Sequence, residues 1–420
     1  MAPTGRIPCY ALKSVLFIAA LSTTGCLAPV LRDPYLPHTD SPLLTSILQG
    51  PAFQGIMANP DKHRLQIIFS QIHMRLGKPI LTHHTFRLRD DEFFYPASMV
   101  KVPPAALAFE KLRELRNTGI AADTTYNTEI VICPRTDEET VQPAAITPAP
   151  SIPPTIERDI HAIFLVSDNL AYDRLYSFLG QDRVNRTMLA RGYRSYQMTH
   201  RLGRKCSMLA NQTTDPVVFV DGKGKEIFRQ DSITSHESYH KRRDGSDVVT
   251  GYDGALRNSA SLTDLHRMLI ALIMPQALPE HARFQLTEEE HRWIQRSMSM
   301  YPEEEKELEF DRIRFRGGKS KYLLLGGQTV QAPKHIRIFN KVGMGLGFLT
   351  DTAFIVDFKN DIAFFLSATV YVNDKHSDID EEHMYETLGL PFMAALGTEI
   401  LRIEIERGDS FDVDPFKFKY

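Results

Sequence analysis

Ser98 and Lys101 stand three residues apart in FFYPASMVKVPPAALAFEKL, residues 93–112. A serine hydroxyl is a weak nucleophile, and an adjacent amine is a base that can take its proton. The flanks predict where the pair sits. An aromatic run (Phe93, Phe94, Tyr95) stops at Pro96, and an alanine- and leucine-rich run follows. This places the pair where a strand gives way to a helix. Residues i and i+3 share a helix face, and a helix start offers unsatisfied N–H groups and the positive end of the macrodipole. Ser98 is therefore expected against the Lys101 amine in a positive field. Two later stretches carry matching groups: Ser167-Asp168-Asn169, and Lys341-Val342-Gly343 within a β-prone run. Each stretch alone is common; their order and spacing together are not.

The three stretches match the set S-x-x-K, S-D-N and K-[TS]-G. On them the chain resembles the class A β-lactamase-like serine hydrolases, the penicillin-recognising family, over residues 61–405. That resemblance implies an α/β fold, an antiparallel sheet flanked by helices with an inserted all-helical domain at about 102–310. It implies acyl transfer with Ser98 as nucleophile, Lys101 as base, Lys341 as second cation and Ser167 bridging the lysines. Asn169 would orient the substrate amide and Lys101, and Asp168 would be structural. The backbone N–H groups of Ser98 and Met344 would form the oxyanion hole, with Val342 and Gly343 beside the substrate. Neither a cofactor nor a metal is implied. The substrate would be a small-molecule or peptidoglycan-type acyl compound.

Two departures from the family pattern matter. Val342 stands where the family has threonine or serine, and valine cannot hydrogen-bond a substrate carboxylate. The family's deacylating glutamate, in an E-x-x-L-N-like string, has no counterpart; Glu226 and Glu237 lie in the right interval but in no such string. Slow deacylation is therefore expected, as in a penicillin-binding or peptidase/esterase-like enzyme. The alternative is a non-catalytic envelope-binding lipoprotein that retains the fold.

The elements that must position these residues follow from pattern. HRLQIIFSQIH (63–73) and ILTHHTFRL (80–88) alternate as a hairpin. Pro103 and Pro104 should distort the first turns of the helix after Ser98. Residues 155–180 show helical spacing broken near Ser167, and 181–192 a helix ending at glycine. A hairpin is predicted about Asp221-Gly222, with helices at 261–274 and 286–300. Strands are predicted at 336–343, 352–358 and 362–372, then a closing helix within 384–406. The proline-rich stretch 134–154 reads as loop.

At the N-terminus, Arg6 and Lys13 precede the short apolar core SVLFIAAL and then Thr23-Thr24-Gly25-Cys26. Residues 1–25 read as an export leader. Cys26 resembles a lipoprotein acceptor, which would tether the protein to the bacterial envelope; plain secretion and an uncleaved anchor are the other outcomes. Residues 26–60 read as a proline-rich tether or early loop and 406–420 as a tail. The net charge of −3 gives no basic face for nucleic acid. Cys133 and Cys206 either pair or stay reduced. His236-Glu237-Ser238-Tyr239-His240 fits H-E-x-x-H, but its polar surroundings lack the apolar helix face that this zinc motif needs.

Overall fold

The structure is a computed structural model that describes residues 36–76, 78–133, 140–141, 152–236, 257–308, 310–373 and 384–409. Two short helices, α1 (Pro42–Ile47) and α2 (Gln54–Met57), lead into the hairpin of β1 (Gln66–Arg75) and β2 (Lys78–Phe86). A 3₁₀ segment, Ala97–Lys101, runs directly into α3 (Val102–Asn117). The inserted part then holds β3 (Glu129–Ile132), β4 (Thr140–Val141), α4 (Ile156–Leu165), α5 (Asn169–Leu179) and α6 (Gln181–Ala190). It continues with β5 (Arg204–Lys205), α7 (Met208–Gln212), β6 (Val217–Val220), β7 (Glu226–Gln230), α8 (Leu262–Ile273) and α9 (Glu288–Ser299). The chain closes with β8 (Ile336–Gly345), β9 (Phe348–Asp357), β10 (Ile362–Tyr371) and α10 (Leu390–Arg407).

One antiparallel sheet has the order β2-β1-β10-β9-β8. The first hairpin and the last three strands meet where β1 pairs with β10, Gln66 opposite Thr369. The sheet is thus assembled from both ends of the chain around the insert. β9 is buried along its whole length and β10 along all but its last residue. That explains the mostly apolar run of β10, since a central strand covered on both faces has no solvent side to show. One core joins the helical insert to one face of the sheet through Ile68, Phe339, Phe354 and Phe365. A second core joins α1 and α10 to the other face through Ile67, Ile338, Ile355 and Leu396.

Two expectations are corrected. The insert is not all-helical: β3, β6 and β7 form a three-stranded antiparallel sheet, and β4 pairs with β5. Short apolar runs such as VVFV find strand partners there. Nor are residues 36–60 a tether. Leu44, Ile47, Leu48, Phe53 and Ile56 are buried in the second core, so the apolar side chains between the prolines decide the outcome. The leader, Cys26 and the tail beyond Asp409 lie outside the described residues. Most of the 134–154 stretch and Glu237 to His240 also do. Cys133 and Cys206 carry thiols rather than a disulfide. No helix among the described residues is long and apolar enough to cross a membrane.

Candidate active site

The site is built where the 3₁₀ segment, the break between α4 and α5, and the exposed edge of β8 converge. Pro96 ends the extended run, and Met99 N–H donates to Pro96 O at 3.0 Å. Ala97 is left-handed, with φ of 46°, immediately before Ser98. Pro103 and Pro104 fall in the first turn of α3, where no intrahelical N–H is needed, so they start the α-helix instead of breaking it. The expected distortion is confined to the tighter 3₁₀ turn that carries Ser98 and Lys101.

Ser167 occupies the break between the two helices, also left-handed at φ of 58°. Such a conformation in a non-glycine residue costs free energy and persists where the surroundings hold it. Here Asp168 holds the turn: it is the N-cap of α5, and its carboxylate accepts from Ala171 N–H at 2.6 Å.

β8 brings the third group. Lys341 lies opposite Thr352, and Gly343 opposite Thr350. A Cβ on Gly343 would stand 2.3 Å from Pro96 O and 3.1 Å from Met99 Cγ. Only a glycine lets the strand edge touch the turn that bears Ser98. Met344, one residue on, is exposed.

The polar contacts centre on Ser167. Lys101 Nζ donates to Ser167 O at 2.5 Å and to Asn169 Oδ1 at 2.6 Å, and lies 3.4 Å from Ser167 Oγ. Lys341 Nζ donates to Ser167 Oγ at 2.8 Å and to Val342 O at 3.0 Å. The Ser167 hydroxyl therefore sits between two buried amines. Ser98 is half-buried, and its Oγ makes no hydrogen bond among the described residues. The expected Ser98–Lys101 hydrogen bond is thus not formed; Lys101 is turned toward the Ser167 break.

Electrostatics follow from burial. Lys101 is fully buried, and desolvation pushes its ammonium down to about 7, against the opposing pull of Asp168 and Asp173. A neutral amine has two N–H donors and one lone pair. Its two close acceptors, Ser167 O and Asn169 Oδ1, use both donors and leave the lone pair to act as a base. Lys341 is lowered well below the ordinary lysine value, first by burial and then by the Lys101 charge. A third buried lysine stands behind it. Lys321 Nζ donates to Asn340 Oδ1 at 2.8 Å and to Met298 O at 3.0 Å. Asn340 in turn donates to Asp351 at 2.9 Å. Burial lowers Lys321 to about 7 and raises Asp351 to about 6.

Val342 is placed differently from its neighbours. Its side chain is buried in the second core, on the α10 side of the sheet. Adjacent strand residues point to opposite faces, so Lys341 and Val342 diverge. Valine at this position is accounted for by packing. Among the described residues of 195–260, Glu226 is an exposed partner of Arg229 on β7.

Sequence reasoning missed Asp173. It lies four residues after Asn169 on one face of α5, and its carboxylate accepts from Leu202 N–H at 2.9 Å and Gly203 N–H at 3.2 Å. It thereby ties the loop after α6 across the N-terminus of α5. Tyr196, from the same loop, donates to Val100 O at 2.8 Å beside Lys101. The i, i+4 relation of Asn169 and Asp173 was the available signal; the loop partners were not visible from spacing.

A model of the beta-lactamase enzyme family matches residues 63–389. No curated protein matches the chain. Among solved structures, the chain is similar to the beta-lactamase from Sphaerobacter thermophilus DSM 20745, with 16% identity over 84% of this chain and 98% of that one, at a TM-score of 0.46. It is similar to the class A beta-lactamase from Mycobacterium abscessus, with 14% identity over 86% and 97%, at a TM-score of 0.45. For the beta-lactamase from Streptomyces albus G the values are 14%, 86% and 97%, with a TM-score of 0.44.

Proposed function

The chain belongs to the beta-lactamase enzyme family, and from that premise we propose that it is a serine hydrolase working through an acyl-enzyme on Ser98. The observation that carries this reading is the Ser167 hydroxyl held between Lys341 Nζ at 2.8 Å and Lys101 Nζ at 3.4 Å, with Lys101 lowered to about 7. Ser98 Oγ attacks the acyl carbon, and its proton passes to neutral Lys101. Backbone N–H groups of Ser98 and Met344 hold the resulting oxyanion. The bond to the leaving nitrogen or oxygen breaks as that atom takes a proton from Ser167 Oγ, which is reprotonated from the lysine pair. Water then releases the acid. With no glutamate carried over to activate that water, deacylation is slow, and the acyl-enzyme accumulates. The Val342 side chain is turned into the second core, so the acyl compound is held without a side-chain contact from that position. We also propose export through residues 1–25, with Cys26 as the lipid attachment point.

Intact-protein mass spectrometry tests the reading. The full chain is incubated with a penicillin or with a fluorophosphonate, beside Ser98→Ala. A lasting adduct on the wild type and none on the variant is expected. An equal adduct on Ser98→Ala refutes the assignment. No adduct with either reagent, and no turnover, favours the second reading, a non-catalytic envelope-binding lipoprotein with this fold. Rapid penicillin turnover without an adduct overturns the slow-deacylation step.

A further inference from the structure

Leu76 stands at the turn of the β1–β2 hairpin with 97% of its surface exposed. Arg75 pairs with Lys78, so two residues make the turn. Two-residue hairpin turns favour asparagine, aspartate or glycine at their first place, where φ is positive. Leu76 holds that place with a φ of 51°. A bulky apolar side chain there costs backbone free energy and gains no burial. Neither the turn nor the core accounts for this leucine.

The residues beside it share its character. Met74 is 45% exposed and Ile80 44%. Met74 lies opposite Pro79 and Ile80 opposite His73, in successive cross-strand pairs, so the two side chains leave opposite faces of the hairpin. A sheet face that docks a protein segment is apolar on one side. An end that is apolar on both sides and at its tip suits a medium that surrounds it. Arg75 is exposed, and Arg75 and Lys78 flank the turn in the sequence. Cations beside apolar side chains favour a surface of anionic headgroups. The Asp409 carboxylate nearby is taken up by Arg407 at 2.6 Å and His73 at 3.1 Å.

The first described residues aim the preceding chain at this tip. Ser41 N–H donates to Thr85 O at 2.8 Å, and Thr85 Oγ donates to Thr39 O at 3.2 Å and Pro37 O at 2.8 Å. Leu36 then lines one cavity together with Pro79, Ile80 and Leu81. Followed from Ser41 back to Leu36, the chain runs alongside β2 from Thr85 toward the turn. Cys26 is ten residues before Leu36, and ten residues reach at most about 35 Å. A lipid on Cys26 therefore holds the hairpin tip within reach of a bilayer.

We propose that the β1–β2 turn inserts into the headgroup layer of the bilayer that carries the Cys26 lipid, with Leu76 deepest and Met74 and Ile80 on either side. The inference rests on the proposed lipid attachment of Cys26. It gives the chain a second contact with the membrane, so the molecule stands there in one orientation. Strand register fixes where the Ser98 site then lies. Lys341 pairs with Thr352, Thr352 with Ser367, and Ser367 with Ile68. Ile68 is eight residues before Leu76, so the site is about 26 Å from the tip along the strands and about 19 Å across the sheet. It stands clear of the lipid, open to acyl compounds in the aqueous phase.

The test is tryptophan fluorescence of the full chain, expressed so that Cys26 is processed and then reconstituted into vesicles of phosphatidylethanolamine and phosphatidylglycerol. Trp293 is the chain's one tryptophan. Leu76→Trp adds a reporter at the tip, and Leu209→Trp adds one at an exposed position on α7. Against the wild-type background, the Leu76→Trp emission should shift to the blue on vesicles. It should fall at least twofold when the acyl chains are brominated near the headgroup, and Leu209→Trp should do neither. Met74→Trp should respond as Leu76→Trp does, and adding Leu76→Asp to it should remove the response. Intact mass reads the lipid on Cys26 separately. A lipidated chain whose Leu76→Trp emission is unquenched by brominated lipid overturns the insertion and leaves the anchor standing. If that unquenched emission is blue, the tip is covered instead by the C-terminal segment or a second copy. Equal quenching of Leu209→Trp also overturns the insertion. An unmodified Cys26 overturns anchor and insertion together.

Discussion

The state of Lys101 makes the most direct prediction. Desolvation lowers its ammonium to about 7. About half of the molecules then carry the neutral base at pH 7, against about 0.04% for an unperturbed lysine near 10.4. Burial thus raises the competent fraction about a thousandfold. The rate of Ser98 labelling by a fluorophosphonate should fall tenfold per pH unit below this value. It should reach about 1% of its plateau at pH 5 and about 90% by pH 8. Lys101→Met should cut the plateau by roughly 10²–10⁴ and remove the acid limb. Stability carries the same signature. The folded value lies below the unfolded one, so between about 7 and 10.4 the unfolded chain binds the extra proton. Stability then rises with pH by about 1.4 kcal/mol per unit, and is lowest below 7. Lys101→Met should flatten that slope by the same amount in denaturant titrations. A wild-type labelling profile that is flat from pH 5.5 to 8, or centred near 10, would refute the reasoning.

Three more outcomes follow from the same geometry. Gly343→Ala drives a Cβ to 2.3 Å from Pro96 O, so it should cost about 1–3 kcal/mol in chemical unfolding and strongly reduce labelling of Ser98. Lys321→Met removes a cation that lowers Lys341; the lysine pair then keeps its second proton to higher pH, and the labelling profile should move alkaline. An unmoved profile would show that Lys321 only fills space. Asp168→Ala deletes the α5 cap and should cost about 1 kcal/mol in thermal unfolding, with labelling slowed because Ser167 loses its turn.

Much of this was legible in the chain itself. The aromatic run before Pro96 forms no strand, but the 3₁₀ turn and helix around Ser98 are set by Pro96, Pro103 and Pro104 through backbone sterics, which act locally. The break at Ser167 is set by a capping aspartate one residue on. The last central strand announces itself by a mostly apolar run, IAFFLSATVY. Local rules decide these features, so local sequence carries them. Other features depended on what packs against what. Residues 36–60 look like a linker until Leu44, Phe53 and Ile56 find the second core. Val342 reads as a missing hydroxyl, but its environment makes it a core residue. Lys101 and Ser98 share a turn, yet the amine is drawn away to Ser167 O and Asn169 Oδ1. The types and order of the reactive groups are inherited from the chain. Their burial, and hence the low proton affinity of Lys101 and Lys341, exists only once distant elements have closed over them, because desolvation belongs to the folded surroundings and not to the residue.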